Sequence, residues 1–220
     1  VQVNRNLANV VVILASAILT IALTSIHYLG FIVIIPILFI VLFIAELFRK
    51  KEQPILNIAI PIMGFGYVAI PLIMGMIFQR TTGDTFPYLA LLFILIWTND
   101  TFAYLCGRKF GKTKLFERIS PNKTWEGTIG GIICTMVMVL AVTLTCNIEN
   151  PLFWFISVLF IAPAGIFGDL VESLFKRTLG IKDSGNIMPG HGGILDRFDA
   201  ALFAIPAFIF WYYIYTLITQ

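Results

Sequence analysis

The chain has 220 residues, of which 59% are hydrophobic and 12% charged, and its formal net charge is +3. Soluble chains carry about 25% charged residues, so an ordinary soluble domain is excluded, and the apolar runs are long enough to cross a bilayer. No polar stretch exceeds roughly 25 residues, well short of the ~50 that a separate soluble domain needs. The expected fold is therefore all-α, a polytopic integral membrane protein forming one transmembrane domain over 1–220.

The chain starts at Val1 and not at Met, which points to an N-terminally truncated sequence. Its first apolar run has neither the basic flank nor the small-residue cleavage site of a signal peptide. Cys106, Cys134 and Cys146 lie in or at the end of apolar runs with no CxxC pair. They read as small buried hydrophobes and not as disulfides or metal ligands.

Seven spans are expected. The first covers 10–26. The second, 31–48, carries Pro36 and ends at Glu46 and the basic cluster Arg49-Lys50-Lys51. The third, 55–78, is interrupted by Pro61, Gly64, Gly66, Pro71 and Gly75, breakers that membrane helices tolerate when neighbours satisfy the freed backbone. The fourth, 86–106, contains Asn99-Asp100, and a polar, basic loop follows over 107–126. The fifth, 127–146, opens on GTIGG, small residues that allow close packing within the chain or between two copies in a homodimer. The sixth runs from Pro151 to about Gly168 and continues as a polar helix through Lys176. A charged stretch, Ser173 to Ala200, precedes the seventh span, 200–218. The halves are thus 10–106, spans with few polar groups, and 107–200, a catalytic half with polar loops.

Lys and Arg accumulate on the cytoplasmic side of membrane proteins. With the N-terminus inside, seven crossings place every one of the fifteen basic residues on that side except Arg80. Both polar loops then share the cytoplasmic face, of a bacterial inner membrane by expectation.

Three groups carry chemistry. Asp100 is an ionisable residue in an apolar span, where such residues cost about 2.5–3.5 kcal/mol and face a cavity or a partner, unless it reaches water at the nearby helix end. Lys123 and Thr124, in SPNKTWEG, precede a predicted helix whose free N–H groups favour an anion such as phosphate, and Glu126 could cap the same end. A membrane-surface loop attracting anionic lipids explains that loop equally well. Asp169, Glu172, Ser173 and Lys176 follow i, i+3, i+4, i+7 spacing on one helical face, and Asp196 and Asp199 are i, i+3. Two carboxylate-bearing helix ends suit a hard divalent cation such as magnesium, although interhelical salt bridges would use the same residues. Acidic groups for a metal, basic groups for phosphates and Gly190, Gly192 and Gly193 for close backbone approach together fit phosphoryl or nucleotidyl transfer. His191 could be a general base or could shape the glycine-rich turn.

The run Ser173-x-x-Lys176-Arg177-x4-Lys182-Asp183-x-Gly185-x2-Met188-Pro189-x-His191-Gly192-Gly193-x-x-Asp196-Arg197-x-Asp199 resembles the signature of phosphatidate cytidylyltransferases, also called CDP-diacylglycerol synthases. Asp100-Thr101-x-Ala103-Tyr104, Gly107-Arg108, Phe110-Gly111-Lys112 and Ser120-Pro121-x-Lys123-Thr124-x-Glu126-Gly127 resemble that family's preceding block. The resemblance covers about Trp97 to Ala200, while the first three spans match only in hydrophobic character. Met188 replaces a usual Leu, Ile or Phe, and Asn122 stands where the family has a second Lys.

The resemblance implies conversion of CTP and phosphatidate to CDP-diacylglycerol and pyrophosphate, with Mg2+ as cofactor and no nucleic acid as partner. It also implies Asp169 and Asp196 as the metal pair, with Asp199 in support. Asp169, Asp196, Lys176, Arg197 and His191 become the catalytic candidates. Lys123, Ser173, Arg177, Lys182, Asp183, Gly192, Gly193 and Asp100 become the candidates for binding the two substrates. The rival enzyme is a CTP-dependent polyprenol or phytol kinase, which would release CDP. A rival of another class is an ion-coupled transporter, supported by Asp100 and the broken span 55–78 but opposed by the concentration of charge at one face.

Overall fold

An apolar run in hydrocarbon must satisfy its own backbone, and a helix does so within one segment. The computed structural model describes residues 10, 13–14, 16–17, 21, 28–48, 53–83, 87–148, 150–182, 184–185 and 193–220. They are mostly helical and fall into two units, Val1–Arg80 and Thr81–Gln220.

In the first unit, α1 (Tyr28–Phe48) packs on α2 (Pro54–Gly64), which continues through a π-helical turn at Phe65–Ala69 into α3 (Ile70–Thr82). The turn forms between the expected breakers. Ile70 N–H reaches back five residues to the carbonyl of Phe65, and the next residue, Pro71, has no N–H to offer. Phe65, Ala69 and Ile73 form a buried cluster with Leu38 and Phe39 packed against it. Glu46, an ionisable group in an apolar helix, is buried and accepts a hydrogen bond from Asn57 Nδ2 at 2.6 Å. That bond braces α1 on α2.

The second unit is built from α4 (Tyr88–Phe110), α5 (Trp125–Thr145), α6 (Pro151–Thr178) and α7 (Leu195–Thr219). The closest pairings are α4 with α5 and α6 with α7. Between α4 and α5, strands β1 (Lys114–Phe116) and β2 (Ser120–Thr124) form an antiparallel hairpin, so the all-α expectation is corrected by one two-stranded element. The GTIGG motif packs within the chain. A Cβ on Gly131 would lie 2.8–3.0 Å from Ala103 Cβ, N and Cα, and one on Gly127 would lie 2.7 Å from Ala103 O. Gly168 plays the same part between α6 and α7, where a Cβ would run into the backbone of Asp199 and Ala200. Buried hydroxyls bond their own helices: Thr135 Oγ1 donates to Gly131 O at 2.8 Å and Ser157 Oγ to Phe153 O at 2.7 Å. At the far end of the unit from the hairpin, Phe153, Trp154, Phe208 and Trp211 stack between α6 and α7.

Among the described residues, five helical stretches are long and apolar enough to span a membrane: Pro54–Thr82, α4, α5, α6 and α7. The expected count was seven. Most of 10–26 lies outside the described residues, and 31–48 falls within α1. Two boundaries shift with consequence. α4 runs on to Phe110, so Gly107 and Arg108 are helical, and α7 begins at Leu195, so Asp196, Arg197 and Asp199 occupy its first turns.

Candidate active site

The site is assembled at the hairpin end of the second unit. Thr124 ends β2 in extended backbone and caps α5, its Oγ1 accepting the N–H of Gly127 at 3.2 Å. Glu126 was expected as a possible cap for this helix end, but its carboxylate accepts the backbone N–H groups of Lys112 and Thr113 at 3.1 Å. Trp125 N–H adds a bond to Thr113 O at 3.0 Å. These ties fasten the hairpin to the start of α5, and Lys123 Nζ reaches Asp169 Oδ2 on α6 at 2.5 Å.

Along α6 the expected spacing holds, and Asp169, Glu172, Ser173 and Lys176 share a face. Ser173 Oγ donates to Asp169 Oδ1 at 3.2 Å. Oxygens of Asp169, Glu172 and Asp199 lie within 4.8 Å of one another. Glu172 is only 1% exposed. Neither of its carboxylate oxygens makes a directional hydrogen bond, although Oε2 lies 2.6 Å from Lys176 Nζ. Three carboxylates this close repel each other, and a cation is the group that relieves them. Donors on an octahedral magnesium ion stand about 3–4 Å apart, so a small contraction of this trio fits one.

Asp196 faces a different set of groups. Its Oδ1 accepts from Lys176 Nζ at 2.7 Å. Its Oδ2 accepts from Ser184 N at 2.9 Å, Ser184 Oγ at 2.8 Å and Gly193 N at 2.6 Å. Both oxygens are thus engaged in anchoring Lys176 and the two ends of the segment between α6 and α7. Gly193 is needed for that approach, because a Cβ there would collide with Ser184 Oγ.

Beside the carboxylates opens a cavity of about 550 Å3, walled by Asp100, Tyr104, Arg108, Lys123, Thr128 and Asp169 among others. It holds two carboxylates and two cations at the end of an apolar bundle, an arrangement suited to a phosphate-bearing ligand with a counter-ion. A family model described as the cytidylyltransferase family matches residues 2–216. The chain belongs to the cytidylyltransferase family. It is 42% identical over 158 residues to a phosphatidate cytidylyltransferase of Staphylococcus aureus strain COL, covering 71% of this chain and 60% of that protein. A protein of the same name from Staphylococcus saprophyticus is 42% identical over 159 residues, and one from Staphylococcus epidermidis is 41% identical over 158, with the same coverage. The chain therefore spans about 60% of the length of the curated relatives it matches.

Of the residues that the cytidylyltransferase signature singles out, Asp169, Asp199, Ser173, Lys176, Asp196 and Lys123 come together in this structure, and Asp100 joins them through the cavity wall. Arg177 turns elsewhere, its Nε donating to Ile119 O of the hairpin at 3.5 Å. Arg197 lines a separate groove with Phe93 and Trp97, and Lys182 is exposed beyond the end of α6. Asp183, His191 and Gly192 lie outside the described residues. Glu172 stands with the carboxylate trio where Asp196 was expected, and Tyr104 and Arg108 join the cavity wall. The i, i+4, i+8 spacing of Asp100, Tyr104 and Arg108 on a helix that runs to Phe110 is the signal that could have found the last two.

Proposed function

We propose that this cytidylyltransferase-family chain transfers the cytidylyl group of CTP to phosphatidate, forming CDP-diacylglycerol for phospholipid synthesis and releasing pyrophosphate. The observation that carries this reading is the pairing of the Asp169, Glu172 and Asp199 carboxylates with Lys123, Lys176 and Arg108 at one end of four membrane-length helices. The Staphylococcus relatives, named phosphatidate cytidylyltransferases, agree with it.

In the reaction, an oxygen of the lipid phosphate attacks the α-phosphorus of CTP. The bond from that phosphorus to the bridging oxygen of the β-phosphate breaks, and pyrophosphate departs with the electron pair. The nucleophile is already an anion, so no general base is required. Phosphoryl chemistry of this kind depends on positioning and on electrostatic stabilisation. The carboxylates of Asp169, Glu172 and Asp199 would hold Mg2+, which when bound neutralises charge on the phosphate oxygens. Lys123 and Arg108, which both line the cavity, would bind phosphate oxygens. Lys176, held by Asp196, stands ready to do the same as Glu172 turns to the ion. Asp196 acts as a positioning residue, fixing Lys176 and the segment ends at Ser184 and Gly193.

The distribution of Lys and Arg supports a site on the cytoplasmic face of a bacterial inner membrane. The test is product analysis of the purified protein in vesicles with CTP, magnesium and phosphatidate. CDP-diacylglycerol and pyrophosphate are expected in equal amounts. Release of CDP with a newly phosphorylated lipid alcohol would replace this reading with that of a kinase.

A further inference from the structure

A groove of about 590 Å3 runs between α4 and α7, apart from the polar cavity. Phe93, Ile94 and Trp97 form its α4 wall, Phe198 faces them from α7, and Arg197 is the one charged lining residue among the described residues. Phe93 and Phe198 meet edge to face, ring centroids 5.8 Å apart at 90°, so the two walls are locked across the groove. Ile94 and Trp97 are 46% and 63% exposed, and both helices are of membrane-spanning length and hydropathy. The groove therefore opens at a depth where lipid tails lie.

We propose that this groove seats an acyl chain of the lipid phosphate and selects among chains, with Arg197 holding the phosphate at its mouth. The inference rests on the reading of the site as one that cytidylylates phosphatidate. A nucleotide does not match the lining, which offers a sugar or base almost nothing to hydrogen-bond. An amphiphile with one anionic end matches it throughout, and a guanidinium binds a phosphate in bidentate fashion. The groove also neighbours the catalytic end along the two helices that line it. Arg197 directly follows Asp196, which holds Lys176. On α4, Trp97 stands three residues before Asp100 of the cavity wall, about 4.5 Å along the helix. A lipid with its tail on Trp97 and its phosphate at Arg197 would thus present that phosphate to the carboxylates and cations. A tail leaving the bilayer gains little from apolar contact alone, because neighbouring tails are as apolar as the groove. The aromatic walls therefore act through shape, as a specificity determinant, and the cation acts through charge.

The experiment uses the purified protein in vesicles containing phosphatidate with a photoactivatable group midway along one acyl chain, compared with phosphatidylcholine bearing the same chain. Adducts are expected on 90–97 and 198, suppressed by unlabelled phosphatidate and about fivefold weaker for the choline lipid, whose capped phosphate forgoes about one hydrogen bond to the Arg197 guanidinium. Filling the groove by Ile94→Trp should cut those adducts about fivefold and shift turnover towards shorter chains by a similar factor, with the KM for CTP unchanged. Trp97→Ala should enlarge the groove and shift turnover towards longer chains, and Phe93→Leu serves in its place if that variant does not fold. Adducts spread evenly over all the apolar helices, or equal for the two lipids, would overturn the groove while leaving CDP-diacylglycerol formation intact. Groove adducts without any CDP-diacylglycerol would instead overturn the reading of the reaction.

Discussion

Charge balance at single residues decides how this site behaves without a ligand. At an effective dielectric of about 20, two carboxylates some 5 Å apart repel by about 3 kcal/mol. Lys123 offsets Asp169, and Lys176 offsets Glu172. For Asp199 the structure shows a hydrogen bond from Ala200 N–H at 2.7 Å and, among the described residues, no ion pair. Asp199→Asn should therefore stabilise the metal-free protein, raising its Tm by about 2–4 °C, which corresponds to about 1 kcal/mol in a chain of this size. On the proposed reading magnesium should raise the Tm of the wild type by mass action, and the same change should abolish that rise and lower CDP-diacylglycerol formation about 100-fold. A lowered Tm with an intact magnesium response would make Asp199 a structural residue. Lys123→Ala makes the contrasting case. Its ion pair with Asp169 is partly exposed, and such pairs contribute about 0–1 kcal/mol. The Tm should move by under about 2 °C, while the KM for CTP or phosphatidate rises about tenfold, the worth of one charge-assisted contact. A loss of folded protein without a change in KM would count against a substrate role. Spacing in the sequence made the Asp169–Lys176 face and Lys123 legible. It could not show that Asp196 is engaged by Lys176, Ser184 and Gly193, leaving Glu172 to complete the trio. That depends on backbone N–H groups three and twelve residues away in a segment with no periodicity to read.

At the level of elements, the cavity is as wide as the spacing of α4 and α5 allows. Tyr104 and Arg108 stand on one of these helices and Thr128 on the other, and the glycines of GTIGG set how close the two come. Gly131→Val would drive a branched side chain into the backbone of Ala103, which cannot rotate away. A cost of about 1–3 kcal/mol is expected from such overpacking, with CDP-diacylglycerol formation falling further than the Tm because the two walls separate. Gly64→Ala is the control, since its Cβ would meet nothing within 4 Å and alanine suits a helix better than glycine. Equal effects of the two substitutions would show that helix propensity, and not the close contact, governs the first position. GTIGG could be read as a packing motif from composition alone, though only the fold shows that its partner is Ala103 of the same chain. The hairpin was not legible. Its strands are three and five residues long, carry no apolar alternation, and are held by Glu126 binding Lys112 and Thr113, a contact across 13 or 14 residues.

Across the whole second unit the two ends differ in kind. The hairpin end collects the carboxylate trio and the cations of Arg108, Lys123 and Lys176. The other end, where α5 gives way to α6, is walled by Tyr88, Trp154, Tyr212 and Tyr215 around a cavity of about 710 Å3 with no charged lining residue among the described residues. Trp and Tyr concentrate at membrane interfaces and Lys and Arg on the cytoplasmic side, so this polarity supports the proposed placement of the hairpin on the cytoplasmic side and of the aromatic end on the opposite surface. Apolar span length was legible in the sequence because hydrocarbon forces each crossing to satisfy itself, and the orientation follows from charge without reference to packing. Cys146 makes the orientation testable, because it is exposed and follows the last turn of α5 at the aromatic end. In a variant with Cys106→Ala and Cys134→Ala, a membrane-impermeant maleimide applied to intact cells should label Cys146. Adding Cys146→Ala and Lys114→Cys moves the only thiol to the hairpin, where labelling should appear only after the membrane is opened. The reverse pattern would place the carboxylate trio on the outer surface, away from cytoplasmic CTP, and would remove the topological support for the proposed reaction even if the purified protein bound magnesium.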